Sequence, residues 1–422
     1  MTDLPPVQDP MIIDLFAGPG GLDVGAHWLG VPSIGIEFDY SAVQTRKNAG
    51  LSTIFGDVEQ WEPKHFDARF NVLTGGPPCQ TFTVAGNGHG RRALDRVIGL
   101  VDRLSDMGQI APVIEELSPE KDRRTGLVLQ PLIWALRAIE NGSPYEAIML
   151  EQVPAVKPVW ETMARVLEQY DYGVNVAILG AEEYGVPQTR RRAVLMARHG
   201  ATSDQINFPK PTHQKYVATH VDADLIKNEE SDLPLWVSME EVLNIGTSFR
   251  VKSNYGSGGD PKNRSRRKGN RPAFTVTGKV TRNKIEPDEG VSRGITPIEA
   301  GILQTFPRNY PWSGNDLSQQ IGNAIPPRLA AHVLNVLLGL NKDVNEAAAT
   351  GRIWNEPSQS LDVVKSVAEG IKRDPGNCNS SDSSVILPQG VKLRGPGTEV
   401  AMLDAFVRRG GRLAPVSARI LE

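Results

Sequence analysis

The sequence predicts an α/β protein whose first domain is a doubly wound, Rossmann-like sheet and whose second domain is smaller and irregular. From Met11 to about His199, short apolar segments alternate with segments of helical spacing. Strands separated by helices of this length predict a parallel sheet covered on both faces. From Phe208 to about Gly290 the pattern becomes irregular and rich in Lys, Arg, Asn, Ser and Gly, which indicates a separate insert.

The composition is that of an ordinary globular protein and excludes several classes. With 422 residues, of which 40% are hydrophobic and 23% charged, the chain can bury the cores of two or three domains. Two cysteines are too few for a disulfide framework or a cysteine-rich zinc site, so no metal is expected. The chain has no apolar run of about 18 residues and no signal-like N-terminus, so we expect a cytoplasmic location and no membrane contact.

Strands are predicted in the apolar segments MIIDLFAG, SIGIEFD, FNVLTGG, EAIMLEQV and RRAVLMARHG. Helical spacing occurs between them in GGLDVGAHWLG, SAVQTRKNAG, PLIWALRAIENG and VWETMARVLEQYDYG. Beyond the insert, IPPRLAAHVLNVLLGL starts with prolines suited to a first helical turn and carries one apolar face, so the chain is expected to return to the first domain. The expected units are residues 11–207 for the first domain, 208–290 for the insert, 291–340 for the return and 341–422 for an appendix without an assigned role.

The segment DLFAGPGGLDVG predicts a ligand site at the carboxyl edge of the sheet. A strand runs to Phe16, and Gly18, Gly20 and Gly21 then form a tight turn into a helix. A ligand can approach the backbone closely at such a turn. Asp23 occupies the third glycine position of a NAD fingerprint, which argues against a dinucleotide. The alternative is an ordinary turn between a strand and a helix.

Three further residues suit an adenosine ligand without phosphates. Glu37 ends the next strand, where a carboxylate can accept both hydroxyls of a ribose. Phe38 offers a face for an adenine ring, and Asp57 in FGDVE closes a strand nearby. The chain has no Walker lysine, so a nucleoside triphosphate is not expected.

The segment GGPPCQTF places Cys79 in a loop at the same edge, directly after two prolines that fix its backbone. A single cysteine is more often a buried small hydrophobe than a nucleophile. Here the neighbouring residues are polar, which favours a nucleophilic thiolate. Glu151 ends the apolar strand MLEQVP and is either a proton donor facing the same cleft or a solvated acid at a strand end.

Three arginines precede the late apolar strand in PQTRRRAVLMA. On an extended segment Arg190 and Arg192 share one face, and Arg191 takes the other. Two guanidinium groups at a cleft would bind phosphate or the polar edge of a base, whereas a solvated strand start would leave them in water. Both interpretations stay open on these residues alone.

Together these segments resemble the DNA cytosine-5 methyltransferase family of bacterial and phage restriction-modification type, over about residues 11 to 340. DLFAGPGG resembles the family's cofactor motif, and GGPPCQTFTVAG its proline-cysteine loop. EQVP and PQTRRR are similar to its Glu-Asn-Val and Gln-x-Arg-x-Arg motifs, and QQIGNAIPP to its last motif. RGITPIEAGILQTFP resembles the segment between the family's two domains, with Arg293, Thr296, Glu299 and Gln304 matching.

The resemblance implies S-adenosylmethionine as the cofactor and the Rossmann-like sheet of an S-adenosylmethionine-dependent methyltransferase. This cofactor is an adenosine without phosphates, in agreement with the residues around the glycine turn. Glu37 is the expected acceptor for the ribose hydroxyls, and Phe16, Phe38 and Asp57 are the expected neighbours of the adenine. Close approaches of the backbone or of a loop to the cofactor are expected at Gly18, Gly20, Gly21, Pro78 and Asn323.

The resemblance also implies the chemistry. A Cys79 thiolate would add to carbon 6 of cytosine, so that carbon 5 becomes nucleophilic enough to take the methyl group. Glu151 would protonate or hydrogen-bond N3, Arg192 would hold the carbonyl oxygen at position 2, and Arg190 would support the thiolate or phosphates. Because a stacked base is inaccessible, the cytosine would be flipped out. The segment TVAGNGHGRR is expected to be a mobile loop closing over that base, and the loop residues expected to contact DNA are Gln80, Thr83, Arg91 and Arg92.

A basic run falls in the insert, where the family carries its DNA-reading domain. Between Arg250 and Lys284, eleven Lys or Arg residues accompany a single acid, on a chain of net charge -3. A charge run is usually only a solvated face, but this position favours phosphate binding. The residues expected to bind DNA phosphates here are Arg264, Arg266, Arg267 and Lys268.

Two residues depart from the family pattern: Gln152, where asparagine is usual, and Ala324, where serine is frequent. The extra methylene of Gln152 could shift the hydrogen bonds of its loop. The preferred function is methylation of duplex DNA by a monomer, with a cognate restriction endonuclease as an optional partner. The alternatives are a tRNA cytosine-5 methyltransferase, a DNA-binding homologue of weak activity and, more remotely, a NAD-dependent oxidoreductase.

Overall fold

The computed structural model describes one large and one small β-sheet, with helices on both faces of the large sheet. The described residues are 4–66, 68–78, 89–117, 126–217, 231–253, 264–355, 378–379 and 385–388, with the backbone alone described at 89–92 and in the last two segments. Among these residues, no helix is long and apolar enough to cross a bilayer.

The large sheet contains all five predicted strands. The strands are β1 (Ile12–Leu15), β2 (Ser33–Glu37), β3 (Thr53–Phe55), β4 (Val72–Gly75), β5 (Ala147–Gln152), β6 (Tyr172–Gly180) and β7 (Arg191–His199). Their order is β3-β2-β1-β4-β5-β7-β6, and β1 to β5 are mutually parallel. Two strands were not among the five predicted segments: β3, which was expected only as a strand that ends near Asp57, and β6, whose middle is partly exposed and lacks a continuous apolar pattern.

The direction of β7 corrects the expectation of a wholly parallel sheet. β7 runs antiparallel to both of its neighbours, β5 and β6. Only residues 181–190 join β6 to β7, and they form one short 3-10 turn followed by extended chain. A parallel pair would need a crossover of a dozen or more residues, so this connection permits only the antiparallel arrangement. The reversal brings the amino end of β7 to the carboxyl end of β5.

Helices cover both faces of the large sheet, and the alternation of β1 separates two apolar cores. The helices are α1 (Gly21–Trp28), α2 (Tyr40–Asn48), α3 (His89–Arg103), α4 (Ile110–Glu116), α5 (Gln130–Glu140), α6 (Lys157–Glu168), α7 (Met239–Val242), α8 (Pro297–Leu303), α9 (Leu317–Asn323), α10 (Pro327–Leu337) and α11 (Val344–Thr350). Ile13 and Leu15 face a core shared with α3 to α6, whereas Ile12 faces a core shared with α1 and α10.

Helix α10 returns to the large sheet, as its apolar face predicts, and packs closely against α1. A side chain at Gly25 would place a Cβ only 2.7 Å from the carbonyl oxygen of Pro327, so glycine permits this contact. The chain continues in the same unit after α10. α11 buries Val344 there, and the Trp354 indole donates to the Ala49 carbonyl oxygen at 3.0 Å. The packed chain therefore extends beyond residue 341, where the appendix was expected to begin.

The insert contains a small antiparallel sheet, and the last strand of this sheet lies beyond residue 290, where the insert was expected to end. One face buries Phe249, Val251 and Ile285 against residues of α7 and α8. The insert looks irregular in sequence because these strands are only two to four residues long, too short to show a period. They are β8 (Phe249–Lys252), β9 (Arg266–Lys268), β10 (Lys284–Pro287) and β11 (Arg293–Gly294), and their order in the sheet is β11-β10-β8-β9.

Two short strands from the expected appendix extend the large sheet beyond β3. They are β12 (Cys378–Asn379) and β13 (Val385–Pro388). β13 pairs in parallel with β3, and β12 pairs antiparallel with β13.

Candidate active site

The carboxyl ends of β1 to β5 lie at one edge of the large sheet, and the expected functional residues follow those ends. β1 leads into the glycine turn, β2 ends at Glu37, β4 leads into Pro77, and β5 ends with Glu151 and Gln152. The strand order reverses between β1 and β4. Ligands of open α/β sheets bind at such a switch point, outside the carboxyl ends of the strands.

The glycine turn is tightly packed at Gly20 and Gly21 and open at Gly18. Gly18 and Gly20 have φ angles of 56° and 102°, in the left-handed region that favours glycine. A Cβ at Gly20 would lie 2.3 Å from Leu51 Cδ1, and one at Gly21 would lie 2.2 Å from the Ile325 carbonyl oxygen. A Cβ at Gly18 would meet no heavy atom within 4 Å. The turn therefore presents its backbone to open space at Gly18.

Glu37 closes this turn through its carboxylate. Oε2 accepts the N–H of Gly18 at 2.6 Å, and Oε1 accepts the N–H groups of Phe38 and Asp39 at 2.8 and 2.6 Å. Burial raises the pKa of Glu37 above its ordinary value, against the opposing effect of the backbone N–H groups. A carboxylate offers about four lone-pair sites, so Glu37 retains acceptor capacity toward a ligand.

A buried ion pair that the sequence analysis missed lies beneath the turn. Arg46 of α2 donates to both carboxylate oxygens of Asp23, at 2.6 and 3.1 Å, and both side chains are fully buried. Ser33 donates its hydroxyl to the same carboxylate at 2.7 Å. Burial and the charge of Asp23 raise the pKa of neighbouring Asp14 to about 8. The sequence does not predict this ion pair, because a basic residue such as Arg46 is common in the last turn of a helix. Asp23 was interpreted only as the residue that replaces the third glycine of a NAD fingerprint.

Glu151 and Arg192 form the second part of the site. Arg192 Nε lies 2.6 Å from Glu151 Oε1, and the two side chains are 11% and 10% exposed. Arg191 is exposed, so the arginines alternate between faces as predicted. The pair forms because β7 is antiparallel to β5, with Glu151 opposite Val194 and Arg192 two residues nearer the strand start. A parallel β7 would have placed these arginines at the opposite edge of the sheet.

The segment after β4 passes beside this pair. A Cβ at Gly76 would lie 3.7 Å from Glu151 Oε2. Gln152 donates from its side-chain amide to the Pro77 carbonyl oxygen. Pro78 is the last described residue of this segment. The expected nucleophile Cys79 and the expected DNA contacts Gln80 and Thr83 lie outside the described residues, so their roles stay predictions.

Arg190 takes a place different from the predicted one. Its side chain is 1% exposed and donates to the carbonyl oxygens of Val276, Gly322 and Ala324 at 2.9 to 3.1 Å. It joins the large unit to the insert and to the segment before α10. Such burial contradicts the expected contact with DNA phosphates. The expected support of the Cys79 thiolate is untested, because Cys79 is outside the described residues.

Arg267 was also expected on the DNA surface, and the structure places it between the two units instead. It donates to Thr189 Oγ1 and to the Ala273 carbonyl oxygen, both at 2.9 Å. Its guanidinium lies 4.2 Å from the Phe274 ring centre and 5.0 Å from that of Tyr216. Burial lowers its pKa. The alternation of β9 turns Arg267 inward while its neighbours Arg266 and Lys268 are exposed, and residue spacing in a basic run does not reveal this.

The solvent face of the small sheet is strongly cationic. Arg250 faces Lys268 across β8 and β9, and Lys252 lies between Arg266 on one side and Lys284 on the other. Like charges directly opposite each other destabilise a sheet. Among the described strand residues of this face the one acid is Glu286, which accepts a hydrogen bond from Arg266 at 3.0 Å. We define the cationic face as Arg250, Lys252, Arg266, Lys268 and Lys284; only Arg266 and Lys268 belong to the predicted set.

Two residues expected to contact the cofactor, Asp57 and Asn323, lie at the ends of other elements. Asp57 is 8% exposed after β3, where its carboxylate accepts the N–H of Glu59 at 3.1 Å. Asn323 ends α9, and its exposed side chain accepts a hydrogen bond from the side-chain amide of Gln319.

The backbone of Arg91 and Arg92, two expected DNA contacts, belongs to helix α3, so the helix starts within the segment expected to be a loop. Arg264 lies just before β9 and is half-buried.

The fold is that of a Rossmann-like α/β protein, with an open glycine turn and a carboxylate-guanidinium pair at the same edge of its large sheet. The model of the family described as C-5 cytosine-specific DNA methylase matches residues 11–96 and 121–339. The chain therefore belongs to this family, as the resemblance predicted, and is a DNA cytosine-5 methyltransferase. The family and fold imply an S-adenosylmethionine-dependent enzyme.

Similar proteins support this assignment. The type II methyltransferase M.PspPI of a Psychrobacter species is 25% identical over 376 residues, which are 81% of this chain and 83% of that protein. The type II methyltransferase M1.HphI of Haemophilus parahaemolyticus is 26% identical over 358 residues, 78% of this chain and 87% of that protein. These relatives indicate the restriction-modification type.

Solved structures agree on the fold. The Entamoeba histolytica methyltransferase EhMeth matches with a TM-score of 0.52 and 16% identity, over 80% of this chain and all of that chain. The S. pombe Dnmt2 methyltransferase matches with a TM-score of 0.51 and 16% identity, over 79% of this chain and all of that chain. At such identities the likeness shows the fold, and the predicted Rossmann-like class is confirmed.

Proposed function

We propose that this enzyme transfers the methyl group of S-adenosylmethionine to carbon 5 of a flipped-out cytosine in duplex DNA, through a covalent adduct at Cys79. The observation that supports the proposal is that two groups of candidate site residues lie at the same edge of the large sheet. The first group is the open turn at Gly18, whose N–H donates to Glu37. The second group is the Glu151–Arg192 pair, beside the segment that leads into Cys79.

The residues around the turn fit an adenosine cofactor. Glu37 would accept the ribose hydroxyls with the lone pairs that the backbone leaves unused. The open space at Gly18 would admit the methionine part close to the backbone. When bound, the cofactor supplies a sulfonium methyl group to the reaction. The other proposed contacts keep their expected roles: Phe16, Phe38, Asp57, Gly20, Gly21, Pro78 and Asn323.

Changing Glu37 to alanine is expected to weaken cofactor binding by about 10- to 100-fold, because a charged acceptor of hydrogen bonds is lost. Calorimetry with S-adenosylhomocysteine measures this, and DNA affinity should stay unchanged. Asp39→Ala is the matched control: it removes a carboxylate two residues away that caps α2 at Ala42 and should leave cofactor affinity within about threefold. Equal affinities for both variants would refute the ribose role.

The proposed chemistry follows from the weak nucleophilicity of carbon 5. The Cys79 thiolate adds to carbon 6, and the ring electrons shift toward N3. The carboxyl group of Glu151 donates a proton or hydrogen bond to N3, and Arg192 binds the carbonyl oxygen at position 2, so both relieve the growing negative charge. Carbon 5 then takes the methyl group while the methyl–sulfur bond of the sulfonium breaks. A proton leaves carbon 5 to water, elimination of the Cys79 thiolate restores the double bond between carbons 5 and 6, and N3 returns to Glu151 any proton that it took.

This chemistry needs an unstacked base, so the proposal includes base flipping. The loop beginning at Cys79 and the start of α3, with Gln80, Thr83, Arg91 and Arg92, is proposed to close over the flipped nucleotide. The cationic face supports duplex DNA as the substrate, because its opposed like charges would be neutralised by phosphates. We propose that the enzyme acts as a cytoplasmic monomer, alongside a restriction endonuclease that reads the same sequence.

Replacing Arg264, Arg266 and Lys268 with alanine should flatten the salt dependence of DNA binding. Each phosphate contact contributes about 0.9 to the slope of log affinity against log salt, so a loss of about 1–2 units is expected. Cognate and unrelated duplexes should be affected alike, because phosphate contacts carry no sequence information. Arg267 is left intact, since its contacts join the two units.

The control removes three basic residues from helices of the large unit: Arg103, Arg137 and Arg165. This variant should keep the wild-type slope. A slope that is unchanged in the insert variant would show that DNA phosphates bind elsewhere.

Expression in a host without cytosine methylation, followed by bisulfite sequencing, tests the function itself. Expression of the wild-type gene should protect cytosines within one recurring DNA sequence from conversion by bisulfite, and that sequence would be the recognition site. Bisulfite sequencing of the host tRNA distinguishes the alternative substrate. Protection confined to tRNA, or protection nowhere in a host that makes folded protein, would refute the proposal.

A further inference from the structure

Tyr310 connects the segment after α8 to the glycine turn of the cofactor site. Its side chain is 4% exposed, and its hydroxyl donates to the Pro19 carbonyl oxygen at 2.5 Å. Burial raises the pKa of Tyr310, so the hydroxyl keeps the proton that it donates. A Cβ at Gly20 would lie 2.9 Å from the Tyr310 hydroxyl oxygen, so the phenol reaches the turn itself.

The peptide group between Pro19 and Gly20 is held at both ends. Its N–H donates to the Ala17 carbonyl oxygen at 3.2 Å within the turn, and its carbonyl oxygen accepts from Tyr310. Gly20 has a φ angle of 102°, which glycine can exchange for a negative angle, and that change would rotate the peptide group. The Tyr310 hydroxyl therefore stabilises the one orientation that accompanies the open space at Gly18.

Trp354 lies beyond the residues that the family model matches and packs against the Tyr310 ring. The match ends at residue 339, whereas Trp354 is 7% exposed, with its ring centre 5.4 Å from that of Tyr310 in an edge-to-face contact. Asn309 binds the Trp354 backbone at two points: its side-chain amide accepts the N–H at 2.6 Å and donates to the carbonyl oxygen at 3.2 Å. Trp354 thus contacts both Tyr310 and the residue before it.

Other residues also support this ring, and they differ from Trp354 in origin. Phe306 and Trp312 each lie 4.9 Å from Tyr310 between ring centres, but both belong to the same short segment as Tyr310. The segment is also attached to α2, because Thr45 accepts the Ser313 N–H at 2.9 Å. Trp354 adds an attachment from a distant part of the chain, directly at the ring that carries the hydroxyl.

We propose that Tyr310 and Trp354 are positioning residues of the cofactor site: Trp354 holds the Tyr310 ring, and the Tyr310 hydroxyl fixes the glycine turn in the form that binds the cofactor. The inference rests on the proposed function, in which this turn receives the methionine part of S-adenosylmethionine. A site binds its ligand with an apparent affinity that falls in proportion to the fraction of molecules in the competent form. A turn that rotates away would therefore bind the cofactor more weakly.

Tyr310→Phe tests the hydroxyl, because it keeps the ring and removes the donor. Tyr172→Phe is the matched control, since Tyr172 is also buried and donates to a backbone carbonyl oxygen, that of Tyr145, at 2.7 Å. Tyr172 pairs with His199 at the opposite edge of the large sheet. In calorimetry with S-adenosylhomocysteine, the dissociation constant reports the state of the turn, whereas the stoichiometry reports the fraction of folded protein.

We expect Tyr310→Phe to weaken binding of S-adenosylhomocysteine by about 5- to 30-fold at full stoichiometry, because a carbonyl group loses its donor and the turn leaves the competent form. Tyr172→Phe should stay within about twofold of wild type. With saturating cofactor, the single-turnover rate of Tyr310→Phe should return to within about threefold of wild type, because saturation restores the competent form. An unchanged affinity in Tyr310→Phe, or an equal loss in Tyr172→Phe, would overturn the inference.

Trp354→Leu removes the ring and keeps apolar bulk, and it should weaken binding by about 3- to 10-fold, with Trp354→Phe between it and wild type. Because Trp354 acts through the Tyr310 hydroxyl, adding Trp354→Leu to Tyr310→Phe should weaken binding by less than about twofold more. Two losses that multiply in full would overturn the role of Trp354. If Trp354→Leu does not fold, Trp354→Phe serves in the same comparison. A wild-type protein that does not bind S-adenosylhomocysteine would instead refute the proposed cofactor.

Discussion

Cys79→Ser is expected to abolish methyl transfer while leaving the affinity for S-adenosylhomocysteine within about twofold of wild type. The serine hydroxyl is similar in shape, but its pKa lies far above that of a thiol, so an attacking alkoxide is scarce near neutral pH. Loss of a nucleophile typically costs more than about 10³-fold in rate. The measurement is transfer of a labelled methyl group to duplex DNA that contains the recognition sequence.

The chain offers a matched control, because its only other cysteine is Cys378. Cys378→Ser should retain wild-type activity, which would exclude a general effect of thiol removal. Substantial methylation by purified Cys79→Ser would mean that another group attacks carbon 6, and the nucleophile assignment would then fail.

Glu151→Gln is expected to lower the single-turnover rate by about 10²- to 10⁴-fold, the usual range for general acid catalysis. The amide is nearly isosteric and keeps an oxygen for Arg192, which lies 2.6 Å from the carboxylate. It is a far weaker proton donor than a carboxylic acid, so the charge that builds on the ring is less well relieved. DNA and cofactor affinities should change little, since the contacts to the reacting ring form one small part of each interface.

Glu146→Gln is the control for this change, at an exposed glutamate just before the other end of β5. It should transfer methyl groups at the wild-type rate. A loss smaller than threefold in Glu151→Gln would assign the N3 role to a different group.

The edge of the sheet was predictable from sequence because strand ends carry a local signal. Each apolar segment ends at a glycine, an acid or a proline pair, and the carboxyl ends of parallel strands lie together at one edge of the sheet. The sequence therefore predicts that Glu37 and Glu151 lie at one edge, where the structure has them. The apolar face of α10 likewise predicted that the chain returns to the large sheet after the insert.

Side-chain direction and long-range partners were not predictable, because they depend on tertiary contacts. The missed strand β6 and its short connection decide that β7 is antiparallel, and only that direction brings Arg192 to Glu151. Arg190 and Arg267 were both among the residues expected to bind phosphates, and their residue type does not distinguish them from exposed arginines. Their partners are carbonyl groups from distant segments, which leave no mark near the arginines in the sequence.

The central claim is covalent catalysis by Cys79, and DNA with 5-fluorocytosine at the target position tests it most directly. Fluorine cannot leave carbon 5 as a cation, so the thiolate cannot be eliminated after methyl transfer and the adduct persists. The wild-type enzyme and Cys378→Ser should each give a DNA-protein complex that survives a denaturing gel when S-adenosylmethionine is present, and Cys79→Ser should give none. An active wild-type enzyme that forms no such complex, or a complex that persists in Cys79→Ser, would contradict the account.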